Sequence, residues 1–370
     1  MSPCTRTVDV VVIGAGQAGL SAAYHLRRRG FAPASLADDR SRSFVVLDQN
    51  AAAGGAWQHR WDSLRMATVN GIHELPGHPV PPADPSAAAK DVLPAYFSQY
   101  EQRFELRVER PVTVAAIRRE DDDPDGRLQI DTDRGTWRAR FVINATGTWT
   151  RPFWPRYPGQ ERFRGRQLHV ADYVSADEFA GKRVIIVGAG VSGVQLLDEI
   201  SRVTDTVWMT RREPEWIDDD FDIPARVAAI AGIDERVRQG LPPGSVISVT
   251  GMHWTPWARA AQARGVLVRH PMFTSIDEDG VWMPDGTFER ADVIVWATGF
   301  RAALEHLGPL RLRLPGGGIR VADSRAPDEP RLFLVGYGPS ASTVGANRAG
   351  RAAVAAIVRD LDSSAAERVA

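Results

Sequence analysis

One pattern limits this chain more than any other: a run of apolar residues passes straight into a glycine-rich turn and then a helix, and it does so twice. Val8 to Ile13 is almost wholly β-branched, as a strand buried on both faces would be. Gly14-Ala15-Gly16-Gln17-Ala18-Gly19 follows, and the helical pattern LSAAYHLRRRG comes after it. Residues 183–200 repeat the unit, with a strand ending at Val187, the turn Gly188-Ala189-Gly190-Val191-Ser192-Gly193, and an amphipathic helix running to Ile200. This glycine spacing lets the chain turn tightly, lets a pyrophosphate approach the backbone, and lets the helix pack on its strand with no Cβ between them. The unpaired N–H groups and the positive dipole end of the helix then face the phosphates. Two copies predict an α/β chain with two Rossmann-like dinucleotide-binding domains.

Each copy is followed by hairpin-like sequence and then by a strand ending in Ala-Thr-Gly, FVINATG at 141–147 and DVIVWATGF at 292–300. At 370 residues the chain exceeds what one core usually organises. We divide it into a discontinuous first domain, 1–155 with 296–370, and a second domain, 156–295. The segment RLFLVGYGPSASTVGANRAGRAAVAAIV reads as a strand, a Gly-Pro-Ser loop and a closing helix that returns to the first domain. Residues 213–265 are looser and contain Trp, Pro and Asp; this insertion reads equally as a lid or substrate wall and as a packing extension. The acidic stretch EDDDPDG at 120–126 reads as the turn of a solvent-facing hairpin.

Lys plus Arg number 45 against 46 for Asp plus Glu, so no positive field draws a nucleic acid, and small molecules are the expected partners. The one cysteine, Cys4, has no second thiol for a dithiol redox pair, and no metal site is read. The start lacks the build of a secretion signal, and no run reaches the roughly 18 apolar residues of a membrane span. The expectation is a cytoplasmic protein without membrane insertion, for which a homodimer is compatible with the sequence.

The assignment of each cofactor follows from what closes the strand after each turn. FVVLD ends at Asp48, whose carboxylate suits ribose hydroxyls, although it lies beyond the usual spacing of roughly 20 residues. Asp38 and Asp39 are alternatives that end no comparable strand, and a surface-turn role for Asp48 stays open. After the second turn, TVWMT is closed by Arg211 and Arg212. A guanidinium there suits a 2′-phosphate, so NADPH is favoured over NADH unless the pair is merely solvated. A hydride donor is useful only beside an acceptor, and FAD fills that role at the first turn. In GGAWQHRWDSLRM, 54–66, the glycine pair permits close backbone approach and Trp57 offers a flat face, though a tryptophan is equally at home in a core. The candidate contacts to FAD are Gly14, Gly16, Gln17, Ala18, Gly19, Asp48, Gln49, Gly55, Trp57, Leu64, Val114, Ala145, Thr146, Gly147, Gly336, Ser342, Thr343 and Val344. Those to NADPH are Gly188, Gly190, Val191, Ser192, Gly193, Arg211, Arg212, Thr298 and Gly299. Ser342 to Val344 stand where a helix start can turn N–H groups toward the flavin pyrimidine while also being capped.

GAGQAG, GGAW, GAGVSG and the two Ala-Thr-Gly strands together resemble the class B flavoprotein monooxygenases. Between the turns, Phe163, Gly165, His169 and Tyr173 match that family's fingerprint of Phe, Gly, His and a closing aromatic. Tyr173 resembles the flavin-containing monooxygenases, where Baeyer-Villiger monooxygenases typically carry Trp. The resemblance spans nearly the whole chain apart from the 213–265 insertion. It implies a glutathione-reductase-like arrangement of the two domains. It also implies that NADPH reduces FAD, that O₂ is taken up at flavin C4a as a hydroperoxide, and that one oxygen passes to a small organic substrate. S- or N-oxygenation is favoured over Baeyer-Villiger chemistry, with sulfides, amines and ketones all open. An NAD(P)H oxidase or electron-transfer reductase and a non-catalytic nucleotide sensor are the rival readings.

Two residues are candidates beside the reaction. Asn70 falls further beyond Ser63 than in the family and reads as well as a turn residue before Gly71. His169 reads as well as a hydrogen bond across the domain joint. Trp216, Trp254 and Trp257 of the insertion are candidate apolar walls for substrate.

Overall fold

The apolar runs form strands, and glycine turns the chain where they end. The computed structural model describes residues 5–69, 71–121, 126–217, 223–244 and 251–367. Strand β1 (Thr5–Ile13) leads into helix α1 (Gln17–Arg28), followed by β2 (Ser43–Leu47), α2 (Ala89–Arg103) and β3 (Gly135–Asn144). Next come β4 (Arg166–His169), β5 (Val184–Val187), α3 (Val191–Ile200), β6 (Thr206–Thr210) and β7 (Val293–Trp296). The chain closes with β8 (Glu329–Leu334) and α4 (Thr343–Glu367). The repeated unit is β1 with α1 and β5 with α3, and each helix starts directly after the second glycine of its turn.

Two mainly parallel sheets carry these elements. In the first, β8, β3, β1 and β2 lie side by side, all parallel, with Ile13 level with both Leu47 and Asn144, and Leu334 level with Asn144. Their carboxyl ends therefore share one edge, the edge where open α/β sheets bind ligands. A hairpin of Val114–Arg119 and Leu128–Thr132 joins β3 in antiparallel fashion; residues 122–125 of its acidic turn lie outside the described residues. In the second sheet all five strands are parallel, in the order Arg269–Pro271, β6, β5, β7, β4. Val187 is level with Met209 and Trp296, and Trp296 with His169, so this sheet too presents one carboxyl edge. A small antiparallel sheet of Ser275–Asp277, Gly280–Trp282 and Phe288–Arg290 precedes β7.

The closing helix lies along α1, where Gly350 comes so near that a Cβ on it would stand 3.1 Å from Ala22 N. The described part of the 213–265 insertion contains the strand pair Trp216–Ile217 with Met252–His253 and the helices Ile223–Arg238 and Pro256–Ala263. Trp216 and Trp254 stack with ring centroids 4.0 Å apart, and with Trp257 they pack on the cluster that buries Trp61 and Leu64. Among the described residues no helix is long and apolar enough to cross a membrane.

Glu329 anchors β8 as a buried carboxylate between two guanidiniums, 2.6 Å from Arg331 Nε and 2.8 Å from Arg119 Nε. Its loss takes the carboxylate from buried Arg331, a change that costs about 3–5 kcal/mol when one partner of a buried pair is removed. Glu329→Ala is therefore expected to lower the urea midpoint of unfolding by a corresponding amount, and an unchanged midpoint would show that solvent satisfies both cations.

Candidate functional site

The first glycine turn is held by contacts that admit nothing larger than hydrogen. Gly14 has φ +97°, and a Cβ there would lie 2.5 Å from the Ala145 carbonyl oxygen, while one on Gly19 would lie 1.8 Å from the Gly14 oxygen. At Gly16, by contrast, no atom stands within 4 Å of the Cβ position. The first and third glycines are thus required by the protein's own packing, and the second keeps clear the space in front of α1. The second turn repeats this arrangement: a Cβ on Gly188 (φ +136°) would meet the Ala297 oxygen at 2.3 Å, one on Gly193 would meet the Gly188 oxygen at 2.6 Å, and Gly190 faces open space. Val191 and Ser192 open α3 directly behind it. Both turns fit a dinucleotide diphosphate placed against helix N–H groups.

A cleft of about 550 Å³ lies before the first turn, a size suited to a cofactor. Gly14, Gly16, Gln17 and Ala18 line it, as do Asp48 and Gln49 beyond β2, and Gly55, Trp57 and Val114. Ala145, Thr146 and Gly147 line it from the end of β3, and Gly336, Ser342 and Thr343 from the closing segment. Gly19 lies beneath as a packing glycine. Leu64 is buried in the cluster with Trp61, and neither it nor Val344 lines the cleft. Gly55 presses on the turn, since a Cβ there would stand 2.8 Å from Gly16 Cα.

Asp48 is buried, and its two oxygens accept the N–H groups of Ala15 at 2.6 Å and Asn50 at 2.8 Å. The carboxylate ties β2 to the glycine turn, a structural task that the sequence pattern does not reveal. Asp38 and Asp39 are exposed, and Asp38 bonds Ser41 and Arg40 within its own loop. Gln17 donates to Asn347 of α4 at 3.0 Å. Ser342 Oγ accepts the Gly345 N–H at 3.0 Å, a cap that leaves first-turn N–H groups of α4 without intrahelical partners. Behind Thr146, His306 Nε2 donates to Asn144 Oδ1 at 2.6 Å, Asn144 donates to the Thr146 hydroxyl, and that hydroxyl donates to the Ala303 carbonyl at 2.7 Å. Burial pushes His306 down to about 4, so it is a neutral imidazole at neutral pH.

The two Ala-Thr-Gly exits meet and pair. Ala303 N–H donates to the Gly147 carbonyl, Arg301 N–H to that of Arg151, and Phe153 N–H to that of Gly299, at 2.8–3.0 Å. The Thr298 hydroxyl also bonds the Phe153 carbonyl. His169 is fully buried at the end of β4; its Nε2 donates to the Gly299 carbonyl at 3.0 Å and its Nδ1 accepts the Ala171 N–H at 3.1 Å. Both ring nitrogens are taken by backbone, burial holds its pKa below the usual value, and it does not line the cleft. The rest of the fingerprint grips the same region. A Cβ on Gly165 would strike the Asp292 oxygen and the Phe163 ring, and the Tyr173 hydroxyl donates to Glu199 of α3 at 2.9 Å. Asn70 lies outside the described residues.

Arg211 and Arg212 are exposed at the carboxyl end of β6. Arg269 on the neighbouring strand reaches Thr210 at 3.0 Å, a third cation at this end that its short polar strand concealed. Other cleft residues also escaped the sequence reading: Trp149, Phe300, His59, Arg60 and His306. Trp149 and Phe300 stack 4.9 Å apart. A usable signal existed for these two, because each is an aromatic just past an Ala-Thr-Gly exit.

The turn geometry separates two kinds of glycine by experiment. Gly16→Ala is expected to leave the thermal midpoint of the ligand-free protein unchanged and to weaken dinucleotide binding at least tenfold, whereas Gly19→Ala lowers the midpoint itself. Equal thermal loss in both variants would refute the open space at Gly16.

The family described as pyridine nucleotide-disulphide oxidoreductase matches residues 11–242, although Cys4 is the sole cysteine of this sequence. A solved flavin-containing monooxygenase from Stenotrophomonas maltophilia is 39% identical, covers 96% of this chain and 99% of its own, and superposes with a TM-score of 0.79. A Baeyer-Villiger monooxygenase of Streptomyces coelicolor is 29% identical over 64% of this chain and 43% of its own length. An indole-3-pyruvate monooxygenase, YUCCA1, of Oryza sativa subsp. japonica is 32% identical over 54% of this chain and 46% of its own length. The chain spans about half the length of the curated relatives it matches. With two glycine turns, paired exits and these relatives together, the chain belongs to the class B flavin monooxygenases, a family whose cofactors are FAD and NADPH.

Proposed function

We propose that this chain is an FAD-dependent, NADPH-using monooxygenase that places one oxygen atom of O₂ on the sulfur or nitrogen of a small organic substrate. The observation that carries this reading is the pairing of the two exits, 145–153 and 297–303, which ties the mouths of both dinucleotide turns to one wall. In the division we propose, 1–155 with 296–370 and 156–295, each domain contributes one turn. FAD would be held by the Gly14–Gly19 turn, by Asp48 and by the start of α4. NADPH would be held by the Gly188–Gly193 turn and by Arg211 and Arg212.

Bound FAD supplies an acceptor for the nicotinamide hydride and a centre for activating O₂. The chain's own residues bind, orient and exclude water. Gly16 and Gly190 admit diphosphates to the helix starts. The N–H group at Thr343 offers a donor where negative charge gathers. Trp57, Trp149 and Phe300 give the cleft apolar walls that keep water away. His169, with both nitrogens on backbone, acts in this reading as a positioning residue that holds Gly299. Heteroatom oxygenation is favoured over Baeyer-Villiger chemistry by the tyrosine at 173 and by the 39% identity to a flavin-containing monooxygenase.

The direct test supplies NADPH and isotopically labelled O₂ with a sulfide, a tertiary amine and a ketone, and follows the label by mass spectrometry. Label in the sulfoxide or N-oxide is expected. Peroxide equal to the NADPH consumed with every substrate would make the protein an oxidase, and a flavin that NADPH fails to bleach without oxygen would make it a nucleotide sensor. For coenzyme choice, Arg211→Ala with Arg212→Ala is expected to raise the KM for NADPH and spare that for NADH. Each lost charge-assisted bond is worth about 1.5–3 kcal/mol. Equal loss for both coenzymes would count against the arginine pair.

A further inference from the structure

Arg60 follows the turn Gly55–His59, and its guanidinium lies over two rings of the cleft, 5.4 Å from the centroid of Trp57 and 4.8 Å from that of Trp149. Among the described residues it is the one Lys or Arg that lines this cleft. Its Nε is enclosed and bonded to nothing. Burial alone pushes its pKa down, to about 10, with no acidic neighbour to offset the effect, so it stays a cation at neutral pH.

Two other arginines that the described residues enclose, Arg110 and Arg331, each have a carboxylate partner. Arg110 has Glu101 on both amino nitrogens, at 2.6 and 2.8 Å, and Arg331 has Glu329. The two acids that line the cleft are otherwise engaged: Asp48 with the Ala15 and Asn50 N–H groups, and Glu305 with Arg151 at 3.1 Å. A cation removed from water without a counter-ion is costly, and aromatic faces return only part of that cost. An anion in the cleft would supply the charge that this guanidinium lacks.

We propose that Arg60 is the counter-ion for a dinucleotide diphosphate bound in this cleft, that of FAD. The inference rests on the cofactor reading above and adds to it a charged side chain, where the glycine turn supplies only N–H groups. The position favours the diphosphate because the turn that carries Arg60 begins at Gly55, which abuts Gly16, the glycine that keeps the phosphate space open. A guanidinium fork matches phosphate oxygens two at a time. The diphosphate of the nicotinamide coenzyme has the same chemistry, and Phe300 of the second exit stacks on Trp149.

The test compares wild type, Arg60→Met and Arg60→Lys as full-length chains. FAD is titrated into apoprotein by flavin fluorescence, NADP⁺ is titrated into the flavin-loaded protein, and the thermal midpoint of each apoprotein is recorded. Arg60→Met is expected to raise the Kd for FAD at least tenfold, with an apoprotein midpoint equal to or above wild type, because an unpaired buried charge has gone. Arg60→Lys is expected to restore most of the affinity. A rise in Kd confined to NADP⁺ and restored by Lys would keep the anion role and move it to the coenzyme. Kd values within twofold for both nucleotides, or a rise that Lys does not restore, would overturn the assignment and leave Arg60 a packing residue. Wild-type apoprotein that takes up no FAD would instead defeat the cofactor reading itself, and this inference with it.

Discussion

The approach of a glycine to a carbonyl oxygen is the contact on which both ligand-facing edges of this molecule depend. Gly14 lies on Ala145 and Gly188 on Ala297, each too close for any Cβ. The surrounding hydrogen bonds match as well. Gly14 N–H donates to Leu47 and Ala145 N–H to Ile13 in one sheet, and Gly188 N–H donates to Met209 and Ala297 N–H to Val187 in the other. In each sheet a strand end, a turn and an exit are thereby fixed to one another within a few ångströms. Helices α1 and α3 are aimed by that fixation, because each begins directly after the second glycine.

The same contact sets each exit beside its turn. The two exits are joined in antiparallel fashion through Gly147 with Ala303 and Gly299 with Phe153. His169 braces this joint from the edge of the second sheet, and Tyr173 ties the segment after it to Glu199 of α3. Burial holds the Glu199 carboxyl above and the His169 imidazole below their usual values.

Much of this was legible in the residue order because it depends on local rules. Strand β1 and helix α1 follow from hydrophobic periodicity, and Gly14, Gly16 and Gly19 from a spacing with one steric purpose. Asp48 closes β2 and lines the cleft, but its bonds to Ala15 and Asn50 were not foreseeable, since they require the turn to fold back on β2. Trp149, Phe300 and Arg60 were missed for a related reason. Each comes from a different stretch of chain, and although Trp149 and Phe300 follow Ala-Thr-Gly exits, that the two stack on each other shows only in the fold. Trp216 and Trp254 could be read as a substrate wall, yet their stacking on each other and on the core around Trp61 is a packing role as well.

By itself, the order of amino acids determined the two strand-turn-helix units, the glycines within them and the family they belong to, since hydrogen-only contacts and alternating burial leave a direct mark on residue type. Only the tertiary structure decided that the two Ala-Thr-Gly exits pair, that His169 spends both nitrogens on backbone, and that Arg60, half-buried with its Nε enclosed, has no carboxylate partner. Those outcomes depend on which segments, far apart along the chain, come within hydrogen-bond or Coulomb range. Such distances are set by the packing of whole sheets and not by any local pattern.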